Sequence, residues 1–477
     1  MKSLTRIFIA AAAMILLGTG AAQASSLLRV DGKVFKDGQG RTVILRGVNV
    51  AGDSKVPPFR GIDTPAQLDP LKTWGMNVIR LLFNWEAFEP APGAYDWNYL
   101  SHLTNVVDWA WARGIYTIVD FHQDIYSRFT AKGCGEGFPA WALSPDAIPQ
   151  APDNGPNCAN WAIIGALDED MHESWRDFYS NREGVRDRYL AVWDILTRNF
   201  KAHASVIGYD MLNEPWGYEA EELYPLYEDT ARVIRSNDPS AILFVSPAAI
   251  TSSGFWSWLP KPTYSNYAFA PHFYDATVTM LKVYSGITVP SDLGWNSMAG
   301  KASEWGVPLF VGEFGCPGVT FNGLAYMDLQ YSKMNYYLAG GAQWVYTPHW
   351  TDARKDGWDM EDFSIIDNTG AIRSNNFKPR PFARKISGTA TQLTVWDPWL
   401  LGDDAIELYW KHNPATGSTE LFVPKYTLWG TWPVKIEQDG ASCSFDSTQT
   451  KVTCGSSSAG SKRVKVRACT MIFGWCL

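Results

Sequence analysis

An α/β fold, a (β/α)8 TIM barrel followed by a C-terminal antiparallel β-sandwich, is the class this sequence predicts, and three observations predict it. Between about residues 27 and 380, short apolar runs alternate with longer amphipathic stretches, the mark of β/α units. Several of the amphipathic stretches stop at glycine, as at Arg113-Gly114 and Ala339-Gly340, the usual residue past a helix end. After about residue 388 the helical periodicity disappears, and short alternating segments follow, separated by Gly- and Ser-rich turns. A chain of 477 residues has room for a barrel, which takes roughly 250, and for a smaller domain beside it.

In chain order, residues 27–45 open with a hairpin that turns at Asp37-Gly38-Gln39-Gly40. Barrel strands follow at 42–49, 77–83, 115–121, 206–212, 241–245, 267–273, 309–311 and 342–346. The third is a nearly unbroken apolar run, as expected of a strand buried on both faces. Helical stretches include 99–113, 175–200, 220–236 and 322–339. The sandwich segments are 405–410, 419–423, 432–438, 451–454 and 463–466. Eight strands point to a closed barrel rather than to an open doubly wound sheet. The expected division is a leader at 1–24, a barrel domain at 25–387 and a sandwich at 388–477.

The leader is an export signal: Lys2 and Arg6 precede an apolar run from Ile7 to Leu17 and small residues ending at Ala22-Gln23-Ala24. It implies a secreted protein, and no other segment is long and apolar enough to span a bilayer. Seven Cys fit an oxidising compartment, with Cys134/Cys158, Cys443/Cys454 and Cys469/Cys476 as disulfide candidates and Cys316 left unpaired. Their spacings resemble no zinc site, and no cofactor motif appears, so neither a metal nor a cofactor is expected. A net charge of −8 argues against nucleic acid as a partner. The 23 Trp, 21 Tyr and 23 Phe suit stacking on sugar faces or burying lipid tails. Nothing in the sequence suggests more than a monomer.

Two motifs carry chemistry. Tyr209-Asp210-Met211-Leu212-Asn213-Glu214-Pro215 sets Asn-Glu-Pro at the carboxyl end of the fourth strand, the face where barrels hold their active sites. Val311-Gly312-Glu313-Phe314-Gly315 repeats the situation on the seventh. Cleaving a glycoside with retention requires two carboxyl groups about 5–5.5 Å apart, one to donate a proton and one to attack the anomeric carbon. Glu214 and Glu313 can face each other across a barrel mouth.

At these motifs the sequence resembles glycoside hydrolase family 5, over about residues 40–350. The resemblance implies Glu214 as acid/base and Glu313 as nucleophile, with Asn213 on the sugar 2-hydroxyl. It implies that Arg80, in Asn77-Val78-Ile79-Arg80, lies beneath the nucleophile and keeps it ionised. His122 and Asp124, in Asp120-Phe121-His122-Gln123-Asp124, would bind sugar hydroxyls, and His272 and Tyr274 would orient the carboxylates. The family's strand-eight Trp matches either Trp344 or Trp350, with Trp350 favoured because it lies beyond the strand.

Within the family the chain is most similar to the bacterial endoglycoceramidases. The likeness rests on the Asp120–Asp124 motif with its long following loop, Glu214-Pro215-Trp216 before an acidic helix, Cys316-Pro317-Gly318 after Glu313, and the terminal sandwich. It implies a glycosphingolipid substrate, met at a membrane or micelle surface, and a sugar contact from Lys55. Apolar loops at 159–167, 249–259 and 278–293 fit a lipid aglycone. The rival expectations are a β-glucanase, cellulase or mannanase of the same family and, in a different class, a non-catalytic glycan- or lipid-binding barrel.

Overall fold

The computed structural model describes residues 27–396, 405–424, 434–448, 450–468, 471–472 and 475–476. The leader at 1–24 therefore lies outside the described residues. Eight parallel barrel strands close on themselves: Arg46–Val50, Val78–Asn84, Tyr116–His122, Val206–Asp210, Ile242–Val245, an interrupted sixth strand (Tyr267–Phe269 with His272–Phe273), Phe310–Phe314 and Gly340–Gln343. The interruption makes closure visible, because Tyr267–Phe269 pairs with the fifth strand and His272–Phe273 with the seventh.

Three local differences from the sequence pattern have physical causes. The first expected strand divides, because Thr42–Val43 leaves the barrel to pair with Lys385 and Ile386 of another sheet. The 175–200 stretch forms two helices, Glu169–Tyr179 and Val185–Phe200, since Asn181, Glu183 and Gly184 all adopt positive φ between them. The eighth strand begins at Gly340, which reads as a helix stop, because a Cβ there would come within 2.8 Å of the Phe310 ring.

Outside the barrel, a seven-stranded sheet runs from the amino-terminal hairpin (Leu28–Asp31, Val34–Asp37, Thr42–Val43) through Phe382–Ile386, Thr419–Phe422 and Lys451–Gly455 to Ser442–Phe445. A four-stranded sheet of Gly388–Trp396, Ala405–His412, Gly460–Ala468 and Val434–Asp439 packs on it. Both sheets contribute to one apolar core that includes Ile386, Leu408, Trp410, Leu421, Val452 and Val464. Disulfides join Cys134 to Cys158 and Cys443 to Cys454, while Cys316 is free and buried. The expected Cys469–Cys476 bridge falls outside the described residues, Cys469 having no described placement. No helix among the described residues is long and apolar enough to cross a membrane.

The barrel wall below the loop after strand three is an aromatic cluster. Phe121 meets Phe83, Trp85, Phe138, Tyr189 and Trp193 with ring centroids 4.8–6.4 Å apart. Trp193 is fully buried and also meets Tyr209, so it ties helix Val185–Phe200 to strands three and four. Trp193→Ala is expected to lower stability by about 3–5 kcal/mol, read from the midpoint of chemical denaturation.

Candidate active site

The carboxyl ends of the strands converge on two glutamates. Glu313 lies within strand Phe310–Phe314, in register with His272 of the sixth strand. Glu214 follows strand Val206–Asp210 with a φ of +36°, a left-handed conformation that costs a non-glycine residue about 1–3 kcal/mol. That strain persists because the Gln123 amide donates to the Asn213 carbonyl at 2.6 Å and to the Glu214 carbonyl at 3.0 Å.

Arg80 lies fully buried beneath both. Its Nε donates to Asp210 at 3.0 Å, Nη1 to Asn49 at 3.0 Å and Glu313 at 2.7 Å, and Nη2 to Asp120 and Asn213, both at 2.8 Å. Burial works against this charge, but Asp120, Asp210 and Glu313 outweigh it and hold Arg80 cationic. Asp210, buried beside Asp120, has its pKa pushed up to about 6 by loss of water, with Arg80 opposing the rise.

The second oxygen of Glu313 accepts from the Tyr274 hydroxyl at 2.9 Å. Oε1 of Glu214 accepts from the Ser252 hydroxyl at 2.6 Å and lies 2.8 Å from His272 Nδ1. His272 Nδ1 is also 3.5 Å from Glu313, and all three groups offer atoms within 4.8 Å of one another. This spacing fits a direct carboxylate attack, not the roughly 6.5–9.5 Å that leaves room for a water between the groups. Gly312 permits it, since a Cβ there would come within 2.8 Å of His272 Nε2.

A second polar cluster adjoins the first. Lys55 Nζ donates to Asp124 at 2.6 Å and to Glu361 at 3.5 Å, and sits 4.3 Å from the Trp344 ring centre and 4.0 Å from that of Trp358. Burial alone would raise Asp124, but Lys55 and His122 outweigh it and hold its carboxyl well below the usual range. His122 keeps Nδ1 on Asp120 at 2.6 Å and turns Nε2 toward Asp124 and Glu136, each 3.6 Å away. Burial would lower its pKa, but Asp120 overrides this and lifts it to about 10. Asn213 is oriented from both sides, accepting from Arg80 and donating to the Gln123 carbonyl at 3.0 Å. Carboxylates are numerous here, yet Arg80 and Lys55 already supply the positive charge that a metal ion would bring.

The expected residues gather as follows. Glu214, Glu313, Arg80, Asn213, His272 and Tyr274 form the first cluster, and Lys55, His122 and Asp124 the second. Of the two tryptophans, Trp344 belongs here, stacked on His122 at 5.5 Å and donating to Glu361 at 3.3 Å. Trp350, favoured from its position past the strand, has its polar contacts elsewhere: it donates to Asp362 at 2.8 Å, and Arg373 covers its ring at 4.3 Å. Sequence reasoning passed over Asp120, Asp210, Glu136, Ser252 and Glu361. Asp120 and Asp210 carried a signal, because a charge inside an apolar strand run requires an opposite charge nearby. Ser252 and Glu361 carried none, being loop residues far from the motifs.

Glu136 is fully buried, accepts from Asn84 at 2.7 Å, and leaves its other oxygen without a hydrogen bond. Loss of water pushes its pKa up to about 8 from an ordinary 4.5, with His122 opposing the rise. The folded state therefore binds this proton more tightly than the unfolded chain does. Its contribution to stability is largest at low pH and declines as pH rises between about 4.5 and 8. Glu136→Gln is expected to flatten the fall of Tm across that window, and parallel wild-type and variant curves would count against this assignment.

The profile of the cellulase family (glycosyl hydrolase family 5) matches residues 37–351, more than half of the chain. Endoglycoceramidase I of Rhodococcus hoagii (strain 103S) is 29% identical over 343 residues, covering 66% of this chain and 68% of that protein. The endoglycoceramidase of Cyanea nozakii is 30% identical over 244 residues, 44% of this chain and 48% of that protein. Among solved structures, the lactosyl-enzyme intermediate of endo-glycoceramidase II from Rhodococcus sp. superposes with a TM-score of 0.74 at 25% identity, covering 92% of this chain and 100% of that one. The barrel, the paired glutamates at the ends of strands four and seven, and the match along most of the barrel agree: this chain belongs to glycoside hydrolase family 5.

Proposed function

We propose that this chain is a secreted retaining endo-glycosidase that hydrolyses the β-glycosidic bond between the glycan and ceramide of glycosphingolipids, with Glu313 as nucleophile and Glu214 as acid/base. A Glu313 carboxylate oxygen attacks the anomeric carbon while the bond to the aglycone oxygen breaks, and that oxygen takes the Glu214 proton. Water then attacks the same carbon, gives its proton to the Glu214 carboxylate, and releases the glycan and free Glu313. Arg80 and Tyr274 aim Glu313, each bonding one of its carboxylate oxygens. Asn213 can turn the amide N–H that lies 3.5 Å from Asp124 to the sugar 2-hydroxyl, a bond that strengthens in the transition state. His122, Asp124 and Lys55 supply donors and acceptors to the glycan, with Trp344 as its apolar face. The lactosyl-enzyme intermediate of the Rhodococcus relative supports the covalent step.

The observation that carries the ceramide assignment is the composition of the rim. Loops after strands five, six and seven expose large apolar side chains, among them Ile250, Phe255, Trp258, Met280, Leu281 and Phe321. Trp258 is 78% exposed, and Met280 and Phe321 are each 66% exposed. Loops six and seven join through the Val283–Phe321 bridge, and the Tyr274 N–H bonds the Ser252 carbonyl of loop five, so the three loops adjoin. Soluble monomers rarely expose so much apolar surface in one place unless it binds something. A lipid tail, met at a membrane or micelle surface, matches it, whereas a polysaccharide cleft requires hydroxyl-bonding groups there. The exported leader and the disulfides support secretion, and a single copy of the chain holds every group the mechanism uses.

Incubation with a glycosphingolipid is expected to release ceramide, and incubation with a soluble β-glucan is expected to yield no oligosaccharide; the reverse pattern would assign the protein to the cellulases or glucanases. Glu214→Gln is expected to lower kcat/KM on the lipid by about 10²–10⁴-fold, and Glu313→Ala to abolish turnover. Trp258→Ser and Phe321→Ser should each raise KM for the lipid about 10-fold, the worth of one buried apolar side chain, while leaving soluble aryl glycosides unaffected. Equal effects on both substrates would remove the rim from the assignment.

A further inference from the structure

The Ser252 hydroxyl donates to Glu214 Oε1 at 2.6 Å, at the short end of the O–H···O range. Nothing in the two-carboxylate chemistry requires a serine at this place. His272 Nδ1 approaches the same oxygen at 2.8 Å, and among the described residues Oε2 has no protein hydrogen bond. Two polar groups on Oε1 leave Oε2 as the atom that carries the transferable proton and faces the leaving oxygen. Without Ser252, His272 alone would hold Oε1, and the carboxyl could rotate to exchange its two oxygens.

The serine is itself held in place. It lies in the short helical turn Ala249–Ser253, and its carbonyl accepts from the Tyr274 backbone N–H at 2.7 Å. The turn is pinned at its start, where Ala249 N–H donates to the Pro215 carbonyl at 2.9 Å and Thr251 Oγ1 to the Ala248 carbonyl at 2.8 Å. Glu219, just beyond Glu214 in the chain, clamps the rest of the loop by accepting from Ala248 N–H at 3.1 Å, Ser257 Oγ at 2.9 Å and Trp258 N–H. The same loop presents Ile250, Phe255 and Trp258 on the rim, so one segment touches both the proton donor and the surface assigned to the aglycone.

We infer that Ser252 is a positioning residue for leaving-group protonation, fixing which oxygen of Glu214 delivers the proton; this rests on Glu214 as the acid. The test compares kcat/KM on two glycosides of one glycan, a dinitrophenyl glycoside whose leaving group needs no protonation and the ceramide-linked substrate, which does. Ser252→Ala is expected to lose about 10-fold on the ceramide-linked substrate, part of the 10²–10⁴ that a general acid supplies, and to change less than about 3-fold on the dinitrophenyl glycoside. Ser252→Thr, which restores a hydroxyl, is expected to recover the lost rate at an unchanged Tm. Equal losses on both substrates, or no loss on either, would overturn the inference, since a structural role would not sense the leaving group. Glu214→Ala run alongside separates the two claims. Retained dinitrophenyl cleavage upholds the acid assignment and leaves the serine to be judged on its own data. Loss on both substrates removes that assignment and the inference with it.

Discussion

A guanidinium sealed inside the barrel is the constraint on which the rest of this site depends. Arg80 has five N–H donors and uses each once, on Asp210, Asn49, Glu313, Asp120 and Asn213. An unpaired charge at that depth would cost several kcal/mol, so every acceptor must stay where it is. Those acceptors come from strands one, three, four and seven and from Asn213 just past strand four, and the cation on strand two therefore fixes the relative height of the strand ends as well as the Glu313 carboxylate. Asn213 and Glu313 are oriented by the same group, so in the proposed mechanism both would share one reference point.

The charges extend outward from Arg80 in an alternating sequence. Asp120 bridges Arg80 to His122, His122 faces Asp124 and Glu136, and Asp124 binds Lys55, which also reaches Glu361. Each cation lies between carboxylates, which lets so many ionisable groups occupy a water-poor space. Glu136 departs from this pattern: burial leaves it holding a proton where its neighbours are charged. The Trp344 and Trp358 faces close the Lys55 end, adding apolar walls without further hydrogen-bonding demands.

Polar machinery and apolar rim are built from the same loops. The segment after strand five carries Ser252 inward to Glu214 and Trp258 outward to solvent, and Glu219 ties the two ends together. Such loops tolerate exposed aromatics because the barrel beneath supplies the stability, leaving their outer faces free for binding. The aromatic residues thus include a packed cluster around Phe121 in the wall and an exposed set on the loops that follow the strands.

The sequence by itself determined the barrel, the order of its strands, and the two glutamates. Buried parallel strands must be continuous apolar runs, and catalytic groups must stand at their carboxyl ends, so both facts are written locally in runs such as 115–121 and in Asn213-Glu214-Pro215. The partnership of Arg80 with Glu313 came from the resemblance to family 5, and the structure places the two 2.7 Å apart. What the sequence left open were choices between residues with equal local credentials. Trp344 and Trp350 flank the same short run, and only packing assigns one to Lys55 and His122 and the other to Asp362 and Arg373. The departure of Thr42–Val43 to a second sheet, the strand that begins at Gly340, and the arrival of Ser252 and Glu361 at the carboxylates were likewise decided by tertiary structure. Each is a contact between segments far apart in the chain, and local periodicity reports which face of a residue is buried but not what it is buried against.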